Sequence, residues 1–266
     1  MLNNDFLLDA KSIHKLSTKG LSVDRLKEQI NDDLDFTLEL WHSQGVSIIK
    51  ERGSFYFSTR FTPIRDAEFC IVDIETNGSK IDKHQIIEIA AVKIKNGEII
   101  SKYESLVQCN EINTHITEIT GIDVSMTKDA PTLKEVMYKF KEFLADSIFI
   151  AHDVKFDYNF ISQSMQKVGL EPILNRSLCS LFLAERTIES YRYALSYLNK
   201  SLNLHPDATH HRAMSDVLTT YELIKLSFSK LDNSVKTVED VIKFSKDAKR
   251  LKRPKFDPFL EEVSNA

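Results

Sequence analysis

Asp73 and Glu75 stand one residue apart where the apolar run Phe69-Cys70-Ile71-Val72 ends, with Thr76 following. In a β-strand, residues i and i+2 share a face, so both carboxylates point the same way. Like charges side by side repel, and a hard divalent cation between them, Mg²⁺ or Mn²⁺, removes the repulsion. A solvated strand end that holds nothing accounts for these residues equally well, and acids elsewhere in the chain must decide. Asp157, in Ala151-His152-Asp153-Val154-Lys155-Phe156-Asp157, falls in the first turn of a helix that leaves a strand. Asp216, in His211-Arg212-Ala213-Met214-Ser215-Asp216, follows a histidine by five residues. That offset is about 140° on a straight helix, which puts His211 on the loop leading into the helix and fixes Asp216 within it. A histidine with its ordinary pKa of about 6.5 can take a proton near neutral pH. Its neighbour His210 is read as a loop residue without a catalytic role, and His152 as packed or hydrogen-bonded. Phe156 and Phe160 follow helical spacing and are read as core rather than as platforms for base stacking.

The elements that hold these side chains follow from period and punctuation. Residues 1–64 read as three helices and a hairpin. Phe6, Leu7, Ile13 and Leu16 suit the first helix; Ser22 caps a second with Val23, Leu26 and Ile30 on one face; Phe36, Leu40 and Trp41 suit a third that stops at Gly45. Strands over 46–50 and 54–59 flank a Glu51-Arg52-Gly53 turn. That order resembles a winged-helix module. Its third helix offers Asp32, Asp33, Asp35 and Glu39 with only His42 opposite, which favours docking to protein or structural support over DNA reading. Thr62-Pro63-Ile64-Arg65-Asp66 breaks both periods and marks a boundary.

Beyond the Asp73 strand, Asn77-Gly78-Ser79 is a turn, and residues 86–95 and 98–107 are strands joined by Asn96-Gly97, a type I′ hairpin signal. Residues 111–120 read as a short helix ended by Gly121. Residues 132–144 read as a longer one with Leu133, Val136, Met137, Phe140 and Leu144 on one face, and 147–151 as a short buried strand. Asp153 is placed as the N-cap of the helix that carries Asp157, Gly169 closes that helix, and a last one covers about 213–227. A mixed sheet with helices around it is α/β or α+β.

At 266 residues and 42% hydrophobic, the chain accommodates one ordinary domain and a second, small one. A net charge of −4 argues against a polybasic chain, though not against a local basic segment. Cys70, Cys109 and Cys179 have neither zinc spacing nor a disulfide framework. No apolar run approaches a membrane span and no basic leader precedes one, so the expectation is a cytoplasmic chain without membrane contact.

Three short motifs in order carry a resemblance: Asp73-x-Glu75-Thr76, Asp157 in its His-Asp-x-x-Phe-Asp setting, and His211-x-Ala213-x-x-Asp216. Together they resemble the DEDDh 3′→5′ exonucleases, whose best-known member is the proofreading epsilon subunit of bacterial DNA polymerase III. The resemblance covers about residues 67–228, and Ile116-x-x-Ile119-Thr120-Gly121-Ile122 adds to it. Two positions depart from the usual pattern: Asp153 stands where Asn is more usual, and Asn77 where a second Thr is common.

The resemblance implies an α/β chain with the RNase H-like exonuclease fold over residues 65–232, behind a winged-helix-like 1–64 and ahead of a basic helical tail, 233–266. It also implies that Asp73, Glu75, Asp157 and Asp216 hold two divalent ions, Mg²⁺ or Mn²⁺, with His211 as general base. 5′-Mononucleotides would then leave a DNA 3′ end that is single-stranded or frayed. The backbone of Thr76, Asn77 and Gly78 is where a terminal nucleotide would approach, since Gly78 removes a side chain from that wall. The implied role is proofreading or repair beside a DNA polymerase III core reached through the terminal modules. The alternatives are an RNase T-like or oligoribonuclease-like exoribonuclease, and a non-catalytic tether for nucleic-acid ends.

In the tail, Thr237 caps a helix with Glu239 and Asp240 in its first turn and Lys243, Lys246, Lys249 and Arg250 toward its end. Lys252, Arg253 and Lys255 extend the charge into Pro254-Lys255-Phe256-Asp257-Pro258-Phe259-Leu260. A solvated helix end, an electrostatic hold on nucleic acid and an aromatic peptide that docks on a partner all fit. Deleting residues 236–266 is expected to weaken the binding of long DNA or of a partner and to spare turnover of a dinucleotide.

Overall fold

The Asp9 carboxylate accepts the Ser12 amide and starts α1 (Ala10–Leu16); Ser22 and Asp33 do the same for α2 (Val23–Lys27) and α3 (Leu34–Ser43). The computed structural model describes residues 8–30, 33–209 and 211–259, so Phe6 and Leu7 of the expected first helix, Asp32, His210 and Leu260 lie outside the described residues. A two-residue strand, β1 (Leu21–Ser22), pairs with β3 (Ser54–Phe57), which also pairs with β2 (Ile48–Glu51); the antiparallel order is β1-β3-β2. The order is helix, short strand, two helices and a hairpin, with Arg52 and Gly53 supplying positive φ at the hairpin turn. β1 is too short to show a period in the sequence. The third helix also presents a different inner face from the one expected. Trp41 is buried, but Phe36 is 60% exposed and Leu40 40%, because Leu34, Thr37, Leu38 and Trp41 take the inner side.

The larger unit is built on β4 (Glu68–Thr76), β5 (Ile86–Lys95) and β6 (Glu98–Leu106), an antiparallel meander whose second turn has Asn96 and Gly97 at φ 52° and 79°. Three helices follow. α4 (Thr114–Thr120) ends on a left-handed Gly121, α5 (Val124–Thr127) is a single turn, and α6 (Leu133–Leu144) opens with a capping box between Thr132 and Glu135. β7 (Ile148–Ala151) joins β4 in parallel and leads into α7 (Val154–Lys167); β8 (Ser177–Cys179) joins β7 in parallel, giving the order β6-β5-β4-β7-β8. α8 (Ser180–Thr187), α9 (Leu195–Leu202), α10 (Ala213–Ser229) and α11 (Val238–Asp247) complete the chain.

The period of two along β4 divides its side chains between two layers. Cys70, Val72 and Ile74 meet α6 and α7 through Val136, Met137, Phe140, Phe160 and Ile161. Phe69 and Ile71 meet α10 and α11 through Ala213, Val217, Ile224, Val238, Val241 and Ile242. α11 is therefore part of the sheet's core, and deleting residues 236–266 would strip three side chains from it. The smaller unit is fastened to the same core. Leu174 packs among its buried residues and donates its amide to the Gln44 carbonyl. Arg176 lies over the Phe57 ring and donates two 2.7 Å hydrogen bonds to the buried Glu239 carboxylate of α11. Among the described residues no helix is long and apolar enough to cross a membrane.

Candidate active site

β4 ends in the acids, and its neighbours decide what surrounds them. The β4–β5 register sets Asp73 opposite Ala90 and Glu75 opposite Glu88, and a register shift falls between Glu75 and Thr76. Such an irregularity re-aims the strand end. α7 brings Asp157 from the opposite layer, and its buried carboxylate accepts the Ile74 amide, between the two strand acids. α10 brings Asp216 in its first turn. Carboxylate oxygens of Glu75 and Asp216 and a ring nitrogen of His211 lie within 4.8 Å of one another.

The electrostatics report the crowding. Burial, then repulsion from Asp157, Asp216, Glu75 and Glu88, holds the Asp73 carboxyl well above the usual range. Burial likewise raises Asp157, against the hydrogen bonds from its own amide and that of Ile74. Glu75 is pushed up to about 8 by burial and by Asp216 and Glu88, with Arg212 opposing. Arg212 does not neutralise the cluster, because its guanidinium is already engaged.

Glu88 engages it, and the sequence reading did not single Glu88 out. Its carboxylate, 1% exposed, accepts from Arg212 Nη2 at 2.7 Å, from Arg212 Nε at 3.2 Å and from the Ala213 amide at 2.9 Å. Glu88 thus ties the residue after His211, and the first amide of α10, to the central sheet. A visible signal existed: an acid inside Ile86-Ile87-Glu88-Ile89-Ala90-Ala91-Val92 must be buried, and a buried acid needs a partner. His211 itself is exposed, sits on the loop as its offset predicts, and has φ 61°. Its amide donates to Asp216 Oδ2 at 3.1 Å, which closes the turn.

Asp153 occupies the N-cap position of α7 at φ 67° and ψ 62°, but its side chain caps nothing; the left-handed backbone is what Asp and Asn tolerate. His152 is hydrogen-bonded as expected. Its Nε2 donates to the Tyr193 carbonyl at 2.8 Å, which leaves Nδ1 to accept from Ser180 Oγ at 2.9 Å, and burial lowers its pKa so that the ring is neutral. Phe160 is core, whereas Phe156 is 37% exposed and only leans on it. At the strand end, Asn77 is committed to structure, donating to the Glu111 carbonyl and accepting the Gln85 amide. The space beside Gly78 is filled by the His84 ring, 2.6 Å from where a Cβ would stand. That wall is therefore closed by His84 and not left open for a nucleotide.

A mixed sheet whose central strand ends in converging carboxylates beside a loop histidine defines an α/β enzyme with the RNase H-like exonuclease fold. A family model described as exonuclease, RNase T, matches residues 70–224. The chain belongs to this exonuclease family, and so to the nuclease hydrolases. It is 37% identical over 182 residues to a DNA polymerase III PolC-type of Caldanaerobacter subterraneus subsp. tengcongensis, covering 66% of this chain and 13% of that one. A Staphylococcus aureus DNA polymerase III PolC-type is 36% identical over 166 residues, covering 61% and 12%. The chain thus spans about an eighth of these relatives. Among solved structures, E. coli exonuclease I in complex with a dT13 oligonucleotide shares the fold with a TM-score of 0.57 at 15% identity, over 62% of this chain and 42% of that one. Exonuclease X in complex with 5′ overhanging duplex DNA does so at 0.50 and 23%, over 66% and 99%.

Proposed function

We propose that the chain is a metal-dependent 3′→5′ exonuclease that releases 5′-mononucleotides from DNA ends, single-stranded or frayed. The observation that carries this reading is the convergence of Asp73, Glu75, Asp157 and Asp216, where burial and neighbouring carboxylates raise the pKa values of Asp73, Glu75 and Asp157 and the nearby Arg212 guanidinium is already paired with Glu88. These donors are all hard oxygens with no thiolate, a set suited to Mg²⁺ or Mn²⁺. Two such ions held there would acidify the attacking water and offset charge on the departing 3′-oxygen. His211 takes the proton of that water; the exposure of the residue and the closeness of its ring nitrogen to the Glu75 and Asp216 carboxylates support that role. Asp216 holds the His211 amide and Glu88 holds Arg212, so the base is aimed by two acids that do not themselves receive the proton. Thr76, at the register shift that ends β4, is the rim that the terminal nucleotide meets.

DNA is the proposed substrate because the curated relatives are DNA polymerases of the PolC type. In this reading residues 65–232 carry the chemistry, 1–64 dock on a polymerase III core, and 233–266 brace the whole, in the cytoplasm. The alternative tether function is disfavoured by the full set of acids. The test compares a mismatched primer terminus, single-stranded DNA and RNA, each with Mg²⁺, Mn²⁺ or chelator. Metal-dependent shortening of the DNA substrates is expected. Strong preference for RNA would overturn the choice of substrate, and retained activity in Asp73→Ala would overturn the assignment of the site.

A further inference from the structure

Between Asp247 and Asp257 the chain runs Ala-Lys-Arg-Leu-Lys-Arg-Pro-Lys-Phe, five cations without an acid, in a protein whose net charge is −4. The segment is neither helix nor strand, yet it is fastened along its length. Arg186 of α8 donates to the Ala248 carbonyl, and the Leu251 amide donates to the Glu185 carbonyl, both at 2.8 Å. Arg250 and Arg253 pair with the Glu185 carboxylate at 2.9 and 3.4 Å. Beyond them the buried Asp257 accepts from the Tyr197 hydroxyl of α9 at 2.7 Å, and Phe259 packs edge-on against the Tyr197 ring. The segment is therefore a strap across α8 and α9.

A relay of contacts links it to the turn that precedes α7. Arg253 lies over the Tyr193 ring, 5.1 Å from its centre, and the Tyr193 carbonyl takes the His152 ring hydrogen bond. His152 adjoins the turn that starts α7 and Asp157. On the outer side, Lys249, Lys252 and Lys255 are exposed and have no acidic partner among the described residues, and Phe256 is 76% exposed. The two arginines hold the strap down; the three lysines and the phenylalanine face outward.

We infer that this strap is the track for the single strand leading to the active site, and the inference rests on the nuclease reading above. The carboxylate cluster at the centre repels the phosphates of an incoming strand, so a cationic path beside it is what a polyanion needs to approach. Spaced lysines track a backbone without reading sequence, and an exposed aromatic ring offers a stacking face to any base. An acidic protein surface would use the lysines but has no use for the stacking face.

The experiment is direct binding of a labelled single strand of about 20 nucleotides by fluorescence anisotropy across a salt series, without metal so that no turnover is needed. The variants are Lys249→Gln/Lys252→Gln/Lys255→Gln, the matching triple Lys→Arg, and Phe256→Ala, each melted first to show that it folds as the parent does. Losing three phosphate contacts weakens binding about tenfold and flattens the slope of log K against log salt by about 2. The arginine triple restores both, and Phe256→Ala weakens binding several-fold with the slope unchanged. Parental affinity and slope in the glutamine triple overturn the inference and leave an acidic partner as the occupant of the lysines. A wrong nuclease assignment shows separately, as absence of hydrolysis by the parent, while the binding comparison still decides the track.

Discussion

Without metal, this protein should lose stability as pH rises from about 5 to about 8.5, and divalent cations should abolish that loss. A carboxyl whose native pKa is raised holds its proton more tightly folded than unfolded. The stabilisation is complete below the unfolded pKa and disappears as pH climbs through the native one. For Glu75 the native value is about 8 against an ordinary 4.5. At about 1.4 kcal/mol per pH unit the full effect is about 5 kcal/mol, an upper bound because the carboxylate is partly open to solvent. At about 2 °C per kcal/mol in a chain of this size, the melting temperature falls by up to about 10 °C across the window. Asp73 and Asp157 are raised as well and push in the same direction. Carboxylates held below their usual range, such as Glu68 and Asp240, stay ionised throughout and add no slope. The assay is a set of thermal melts in chelator, Mg²⁺ and Mn²⁺ at both ends of the window. Metal should raise the melting temperature more at the alkaline end, where no proton need be displaced. A melting temperature in chelator that is flat or rises with pH, or a metal shift equal at both ends, would refute the crowding of these acids.

Four substitutions probe the roles separately. His211→Ala should lower turnover by about 10²–10⁴-fold with metal binding by calorimetry largely intact, whereas Asp216→Ala should lose metal as well; equal metal loss in both would show that the roles are misassigned. Glu88→Gln keeps the shape but breaks the ion pair with the part-exposed Arg212, so it should cost about 2 kcal/mol in a denaturant titration and lower kcat more than KM through the loosened His211 loop; parental kinetics would rule out the positioning role. Glu239→Gln leaves Arg176 buried without its counter-charge and should cost about 3–5 kcal/mol, with proteolysis cutting first near the junction of the two units; an unchanged unfolding midpoint would show that the pair does not fasten them.

The strand that carries Asp73 and Glu75 was legible because an apolar run leads into two acids spaced by the strand period of two, and His211 was legible as a loop residue because an offset of five does not fit one helix face. The Asn96-Gly97 hairpin and the Ser22 and Thr237 caps were legible from turn and cap chemistry. α8 and α9 were not, since Cys179 and Ala194 begin them without a side-chain cap, and β8 has only three residues to show a pattern. Phe36 and Leu40 misled the reading of α3 because an amphipathic count cannot tell an inner face from an exposed apolar one. Glu88 escaped because its partner, Arg212, lies 124 residues away. Gly78 was read as an opening, and only the folded chain shows His84 filling the space beside it.

The central claim is that four acids and His211 form a metal-dependent site acting on a 3′ end. Its most direct measurement follows a 5′-labelled single-stranded DNA through the reaction and identifies the released products by mass, for the parent and for Asp73→Asn, with Mg²⁺ and with chelator. The account predicts a ladder shortened one nucleotide at a time from the 3′ end, release of 5′-monophosphates, and loss of both in the variant and in chelator. Immediate release of the label as a mononucleotide, or an unchanged ladder in Asp73→Asn, would contradict it.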